Sequence, residues 1–185
     1  MSHRVCPWWL GYLLVSPLRR LLQDPEEIVA PYVKEDMTVL DIGCGMGFFS
    51  LPLAKLVGKT GKVVCLDLQE KMINGLVRRA LKAGLSDRID VRICRQNSLV
   101  VSDLADKIDF VLAFALLHEV SNKERLFAEI YNTMKQTGEL LVAEPKGHVS
   151  KLDFEQTVSI AQSAGFEILS DLRIQRSRAV LLRKR

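Results

Sequence analysis

Asp41, Asp67 and Glu144 each lie at the close of a short apolar run, His118 directly follows another, and His148 stands four residues beyond Glu144. Carboxylates and imidazoles in such places bind hydroxyls, hold cations and move protons. The tightest spacing surrounds the first acid. Asp41-Ile42-Gly43-Cys44-Gly45-Met46-Gly47 sets three glycines at alternate positions, with Val39-Leu40 before them and Phe48-Phe49-Ser50 after. This reads as a buried strand ending in an acid, a glycine turn and the opening of a helix. Such a design brings bare backbone and a helix N-terminus close to a bound small molecule. A dinucleotide-binding turn would carry a third glycine three residues after the second. That position is Phe48, and Gly47 arrives one residue early.

The elements around these residues alternate between strand and helix. Ser16-Pro17 and Asp24-Pro25-Glu26-Glu27 carry N-cap signals for two short helices over 17–30. Strands are expected over 38–42, 62–66, 89–94, 108–114 and 139–144, separated by helices. The first helix should run over 47–57. The second should turn Met72, Ile73, Leu76, Val77, Ala80 and Leu81 inward and stop at Gly84. Ser121-Asn122-Lys123-Glu124 reads as a capping box for a helix burying Leu126, Phe127, Ile130, Tyr131 and Met134, and Ser150 caps another that buries Phe154, Val158 and Ala161 and ends at Gly165. The strands 166–172 and 178–183 follow one another too closely for a helix between them, so they form a hairpin. Short continuous apolar strands alternating with helices predict an α/β fold with a mostly parallel, doubly covered sheet. Ligands of such sheets bind outside the carboxyl ends of the strands.

The D-x-G-x-G-x-G run, the acid Asp67 about 20 residues after the glycine turn and the five strand–helix units with a terminal hairpin resemble the class I S-adenosylmethionine (SAM) dependent methyltransferases. The resemblance covers nearly the whole chain from about residue 25 onward. It implies a Rossmann-like three-layer αβα sandwich with strand order 3-2-1-4-5-7-6, a SAM-binding domain over 33–185 and a lid or helical extension over 1–32. It also implies roles. Asp41 orients the cofactor's amino-acid portion, Gly43, Cys44 and Gly45 form the turn against it, and Gly47 allows close helix-to-strand packing. Asp67 accepts the ribose hydroxyls, Leu68 flanks the adenine with Leu99, and Asn97 and Ser98 meet its edge. Phe114 ends the strand whose exit passes the transferring methyl. At that exit the chain reads Ala-Phe-Ala-Leu instead of the N/D-P-P-Y/F of enzymes acting on amide or ring nitrogens, which lowers the weight of nucleic-acid bases as acceptors. The product is S-adenosylhomocysteine.

Plainer roles compete at each position. Asp67 can be a helix-capping acid, Gln96-Asn97-Ser98 a simple loop, and His118-Glu119 the start of a helix. As a catalytic group, His118 would take a proton from a hydroxyl or thiol acceptor. Glu144 and His148 could bind the acceptor or merely end a strand. Trp8, Trp9 and Tyr12 are expected to line the acceptor pocket as a lid, with packing at the sheet edge, a homodimer contact or an interfacial anchor as alternatives.

With 185 residues, 48% hydrophobic, 26% charged and a net charge of +4, the chain has the composition of an ordinary globular domain. The basic residues of the tail alternate with apolar ones, a solvated strand face rather than a nucleic-acid stripe. No segment reaches the roughly 20 apolar residues of a membrane span, and the N-terminal apolar run lacks the form of a signal peptide. The four cysteines show no C-x-x-C pair, which fits a reducing cytoplasm. His3 and Cys6 share an H-x-x-C spacing, but two ligands do not close a zinc site. The expectation is a cytoplasmic enzyme methylating a small molecule. The alternative is a SAM-binding regulatory or thiol- or metal-linked redox protein.

Overall fold

The computed structural model describes Val15 and residues 23–185. His3, Cys6, Trp8, Trp9, Tyr12 and the helix expected from Pro17 therefore lie outside the described residues. The chain divides into two compact units, with the boundary between Cys94 and Arg95.

In the first unit, Asp24 accepts the Glu26 N–H at 2.9 Å and so caps α1 (Pro25–Val29). Strands β1 (Thr38–Ile42), β2 (Lys62–Asp67) and β3 (Ile89–Ile93) pair in parallel, with Asp41 opposite Cys65 and Asp67 opposite Ile93. Val39, Leu40, Val63, Val64, Cys65 and Leu66 are all buried, as unbroken apolar strands of a parallel sheet should be. Helices α2 (Ser50–Leu56) and α3 (Glu70–Ala83) follow β1 and β2. The first starts three residues later than the 47–57 expected from sequence. Gly43, Gly45 and Gly47 have φ of 72°, 54° and 82°, which a right-handed helix cannot absorb. The inward face of α3 holds Met72, Ile73, Leu76 and Ala80, but Val77 and Leu81 are exposed, contrary to expectation. At 3.6 residues per turn a stripe through 73, 76 and 80 leaves 77 and 81 rotated toward its edge. The helix does end at Gly84, which is left-handed at φ 66°.

The second unit contains β4 (Ile108–Phe114), α4 (Lys123–Thr133), β5 (Met134–Pro145), α5 (Lys151–Ser163), β6 (Phe166–Leu172) and β7 (Ser177–Lys184). β4 and β5 are parallel, while β7 runs antiparallel to both β5 and β6. Asn122, one residue past the Ser121 of the expected box, caps α4 by accepting the Arg125 N–H at 2.8 Å. Met134 belongs to β5 and not to the helix. That strand starts five residues before the expected 139, because its register skips from Ile108↔Met134 to Phe110↔Glu139 and the intervening residues bulge. Ser150 caps α5 as expected, accepting the Asp153 N–H at 3.1 Å. Val158 is only partly covered, and Thr157 takes its buried place.

The seven-stranded sheet has the order β3-β2-β1-β4-β5-β7-β6. This is the mostly parallel α/β sheet with a terminal antiparallel hairpin that the class I resemblance implied.

Candidate functional site

The glycine turn between β1 and α2 is held from three sides. The Gly43 and Cys44 N–H groups donate to Leu66 O at 2.8 and 3.0 Å, and Gly47 N–H donates to Cys44 O at 2.9 Å. Gly45 N–H donates to Asp67 Oδ2 at 2.9 Å, while Gln69 N–H donates to Asp67 Oδ1 at 2.8 Å. Asp67 thus joins the end of β2 to the turn and to the entry of α3. With the Leu68 N–H also bonded to it, the carboxyl group keeps about one lone pair for a further donor. Burial raises its pKa, and the N–H groups of Gln69, Gly45 and Leu68 oppose that shift.

Asp41 is buried behind the turn, where the Ser50 hydroxyl donates to its Oδ2 at 2.6 Å. Burial pushes its pKa up to about 7, the Ser50 bond lowers it, and the charge of Asp67 adds to the rise. The Cys44 thiol is raised by its hydrogen bond with the Cys65 thiol and by burial, so it stays protonated and is no nucleophile.

Two contacts brace the turn that sequence reasoning missed or misplaced. A Cβ on Gly47 would stand 2.4 Å from Leu76 Cδ1, so this glycine permits close packing against helix α3 and not against a strand. A Cβ on Gly75, inside α3, would stand 2.7 Å from Met46 Cγ. That glycine lets the turn settle on the helix, and its only signal was an unusual glycine within a strongly periodic segment. At Gly45, by contrast, an added Cβ meets no atom of the described residues within 4 Å. The open space over Gly45, the remaining acceptor site of Asp67 and the half-exposed Leu68 leave room for a ligand beside the turn.

In the second unit, the segment after β3 is tied to α4. Glu129 Oε2 accepts the Leu99 N–H at 2.6 Å and the Ser98 hydroxyl at 3.3 Å. Ser98 Oγ also accepts the Val100 N–H at 3.2 Å. Ser98 therefore shapes its loop, Leu99 is buried, and Asn97 stands exposed. Phe114 ends β4 and is largely buried.

Beyond β4 the chain turns sharply at Ala115, a non-glycine residue with φ 55° whose N–H donates to Ala143 O at 2.7 Å. This left-handed step costs about 1–2 kcal/mol and sends the next two N–H groups toward β5. Leu116 and Leu117 donate to Glu144 Oε1 at 2.9 and 2.7 Å. The other oxygen, Oε2, lies 2.6 Å from His118 Nδ1. Glu144 is buried, while the His118 side chain is 28% exposed. The ring of His148 stacks on that of His118 at 6.0 Å between centroids and 21° between planes. The hydrogen bond to Glu144 raises the His118 pKa above the usual 6.5, burial opposes the rise, and the charges of Glu144 and Glu119 assist it. Sequence thus named all three members, but not that Glu144 serves His118, nor that Ala115 builds the turn. An alanine carries no sign of a left-handed backbone. Among the described residues, no group of three or more His, Cys, Asp or Glu side chains is arranged to hold a metal ion.

Comparison with known proteins places this geometry. The family model "Methyltransferase domain" matches residues 33–173. The ubiquinone/menaquinone biosynthesis C-methyltransferase of Hydrogenovibrio crunogenus is 33% identical over 112 residues, which are 60% of this chain and 43% of that protein. The Escherichia coli protein of the same name is 29% identical over the same share of this chain and 44% of its own length. The chain thus spans less than half the length of these curated relatives. A SAM-dependent methyltransferase from Aquifex aeolicus superposes with a TM-score of 0.85 at 26% identity, covering 96% of this chain and 98% of that one. The [4+2]-cyclase SpnF shares the fold with a TM-score of 0.72 at 19% identity, covering 86% and 80%.

Proposed function

The chain belongs to the methyltransferase-domain family and has its class I fold, and on that premise we propose that it binds SAM and transfers the methyl group to a small-molecule acceptor. The observation that carries the cofactor reading is the state of the glycine turn. Its Gly43, Cys44, Gly45 and Gly47 N–H groups are already spent within the protein, and the carboxyl groups of Asp41 and Asp67 flank it. A pyrophosphate needs unspent N–H donors and no adjacent carboxylates. A nucleoside with a cationic sulfonium and ammonium, and no phosphate, suits these residues. SAM, when bound, supplies an electrophilic methyl group on a sulfonium.

On this reading the chain's own residues divide the work. Asp67 offers its remaining acceptor site to a ribose hydroxyl, Leu68 gives an apolar wall and Asn97 an amide for the base edge. Asp41 stands behind the turn for the amino-acid portion. His118 is the group that takes a proton from the acceptor, and Trp8, Trp9 and Tyr12 are assigned to covering it, with His148 beside the ring. A small acceptor agrees with the quinone-biosynthesis C-methyltransferases among the relatives. Nucleic acid is not the proposed acceptor, since the basic residues from Arg173 to Arg185 are interspersed with apolar ones and read as a solvated strand face. No helix of the described residues is long and apolar enough to cross a membrane, and the cytoplasm is the proposed location.

Titration calorimetry of SAM against NAD tests the reading. SAM should bind in the micromolar range, NAD should not, and Gly43→Val and Asp67→Ala should each weaken SAM at least tenfold. Tighter NAD binding overturns the proposal. SAM binding without S-adenosylhomocysteine formation over a broad acceptor panel would favour a regulatory SAM-binding protein, a live alternative because a cyclase shares the fold.

A further inference from the structure

We propose that Glu144 is a positioning residue that fixes His118 in the Nδ1–H tautomer, leaving the Nε2 lone pair as the base for an acceptor that reacts through a hydroxyl of a phenol or enol. The inference rests on the methyltransferase reading above and deepens it.

The hydrogen bonds dictate the tautomer. Glu144 Oε1 accepts two backbone N–H groups, which can only donate, so this oxygen is an acceptor. When Glu144 is ionised, Oε2 is an acceptor as well, and the 2.6 Å contact then takes the hydrogen of His118 Nδ1. In the neutral ring Nε2 carries no hydrogen. It lies 3.9 Å from Glu119 Oε1, too far for a hydrogen bond, on a side chain that is 28% exposed. A buried acid that accepts from one ring nitrogen and frees the other is the arrangement by which imidazole becomes an oriented general base. Ala115 supports this reading, since its left-handed turn is what aims two N–H groups at Glu144. Backbone strain of this kind persists where the surroundings enforce it.

The charges facing the ring also select the acceptor. Glu144 on β5 and Glu119 beside His118 are negative, Lys123 at the start of α4 is positive, and His148 stacks on the ring. This environment stabilises imidazolium once it forms, which helps only if a proton is delivered. An amine that arrives neutral, or a thiolate, gains nothing from it. In the step, the acceptor O–H bond breaks and its proton goes to Nε2. The electron pair freed on oxygen, or relayed to the conjugated carbon, forms the new bond to the methyl carbon. The pair of the methyl–sulfur bond leaves with sulfur. When carbon is methylated its own hydrogen is lost to water as the ring or enol is restored. Imidazolium then returns its proton to solvent.

Glu144→Gln separates this role from a structural one. The glutamine carbonyl can still accept from Leu116 and Leu117, but its amide then faces Nδ1 as a donor and drives the hydrogen onto Nε2. Nitrogen-15 NMR of the full chain without ligand, labelled in histidine, reads this directly. The expected result is an Nδ1–H tautomer titrating above 6.5 in the natural protein and an Nε2–H tautomer with a lower pKa in the variant. An Nε2–H tautomer in the natural protein overturns the proposal whatever the enzyme does. Turnover with catechol and SAM should fall roughly 10²–10⁴-fold in His118→Gln, the range of general-base catalysis, with a similar fall in Glu144→Gln and partial rescue in Glu144→Asp. With thiophenol, an anion at the assay pH of 8, the loss in each variant should be at least tenfold smaller than with catechol. Equal losses with both acceptors would also overturn it. Calorimetric SAM binding by each variant keeps the tests apart, since loss of SAM binding in the natural protein speaks against the methyltransferase reading alone.

Discussion

Asp41 shows how much of a site depends on one buried group. Its place before the glycines was legible in sequence, but its environment was not, because Ser50 lies nine residues away and becomes a partner only when the turn folds back. The folded pKa of about 7 stands above the ordinary 3.8. The native state therefore holds a proton that the unfolded chain releases between these values. The stability that Asp41 contributes is fully present below about pH 4, falls as pH rises toward 7 and is gone above it. A shift of this size corresponds to a few kcal/mol. Urea unfolding from pH 5 to 8 should show the decline in the natural protein, and Asp41→Asn should remove most of it. A natural protein equally stable at pH 5 and pH 8 would show that Asp41 is ionised when folded. His118 works in the opposite sense for catalysis, since its base form exists only above its own raised pKa, so turnover with a hydroxyl acceptor should climb with pH past 6.5.

At the scale of elements, the glycine turn separates packing from ligand approach. The alternating glycines were plain in sequence, and the class I resemblance implied packing for Gly47 and ligand approach for Gly45, but the packing partner was hidden, because it lies on helix α3, whose face must first be set. Gly47 faces Leu76, while Gly45 faces open space. Both are left-handed, so alanine at either position costs about 1–2 kcal/mol in backbone strain. Only Gly47→Ala adds overpacking, about 1–3 kcal/mol more. Thermal unfolding should thus drop by roughly 4–20 °C in Gly47→Ala, and by about half of that or less in Gly45→Ala. SAM affinity should respond in the reverse order, with the larger loss in Gly45→Ala once differences in folded fraction are removed. If both variants lose stability and affinity in the same proportion, the open space over Gly45 is not a ligand cradle. The boundaries of β5 and α2 were illegible for a related reason. Register and left-handed glycines set them, and neither leaves a periodic trace.

At the scale of the whole molecule, alternation and the terminal hairpin were legible in sequence, since a chain without room for a crossover helix must reverse, whereas the strand order came only from the class I resemblance. The division at Cys94–Arg95 left no mark in composition, for no glycine- or proline-rich linker accompanies it. The second unit is closed instead by the last two residues of the chain. Lys184 Nζ donates to Asp106 Oδ1 and Met134 O, both at 2.8 Å, and lies 4.7 Å above the Tyr131 ring. Tyr131 donates to Arg185 O at 2.9 Å, and Arg185 N–H to Gly165 O at 3.1 Å. These contacts gather the ends of α4 and α5, the start of β5 and the edge strand β6. The Asp106 partner is mostly exposed, so that ion pair adds little. The remaining hydrogen bonds and the cation–π contact contribute about 1 kcal/mol each. Removing residues 184–185 should cost about 2–4 kcal/mol and lower the unfolding temperature by roughly 4–16 °C. Lys184→Met, which keeps the backbone bonds, should lose about half as much. The groups concerned all fall between residues 106 and 185, whereas the cofactor turn and its acids fall between 41 and 67. Effects at sites with no shared partners add independently, so calorimetric SAM affinity should stay within twofold in both variants at temperatures where they are folded. A tenfold loss would mean that the binding turn depends on how the second unit is closed, and that the glycines, Asp41 and Asp67 do not by themselves define the cofactor site.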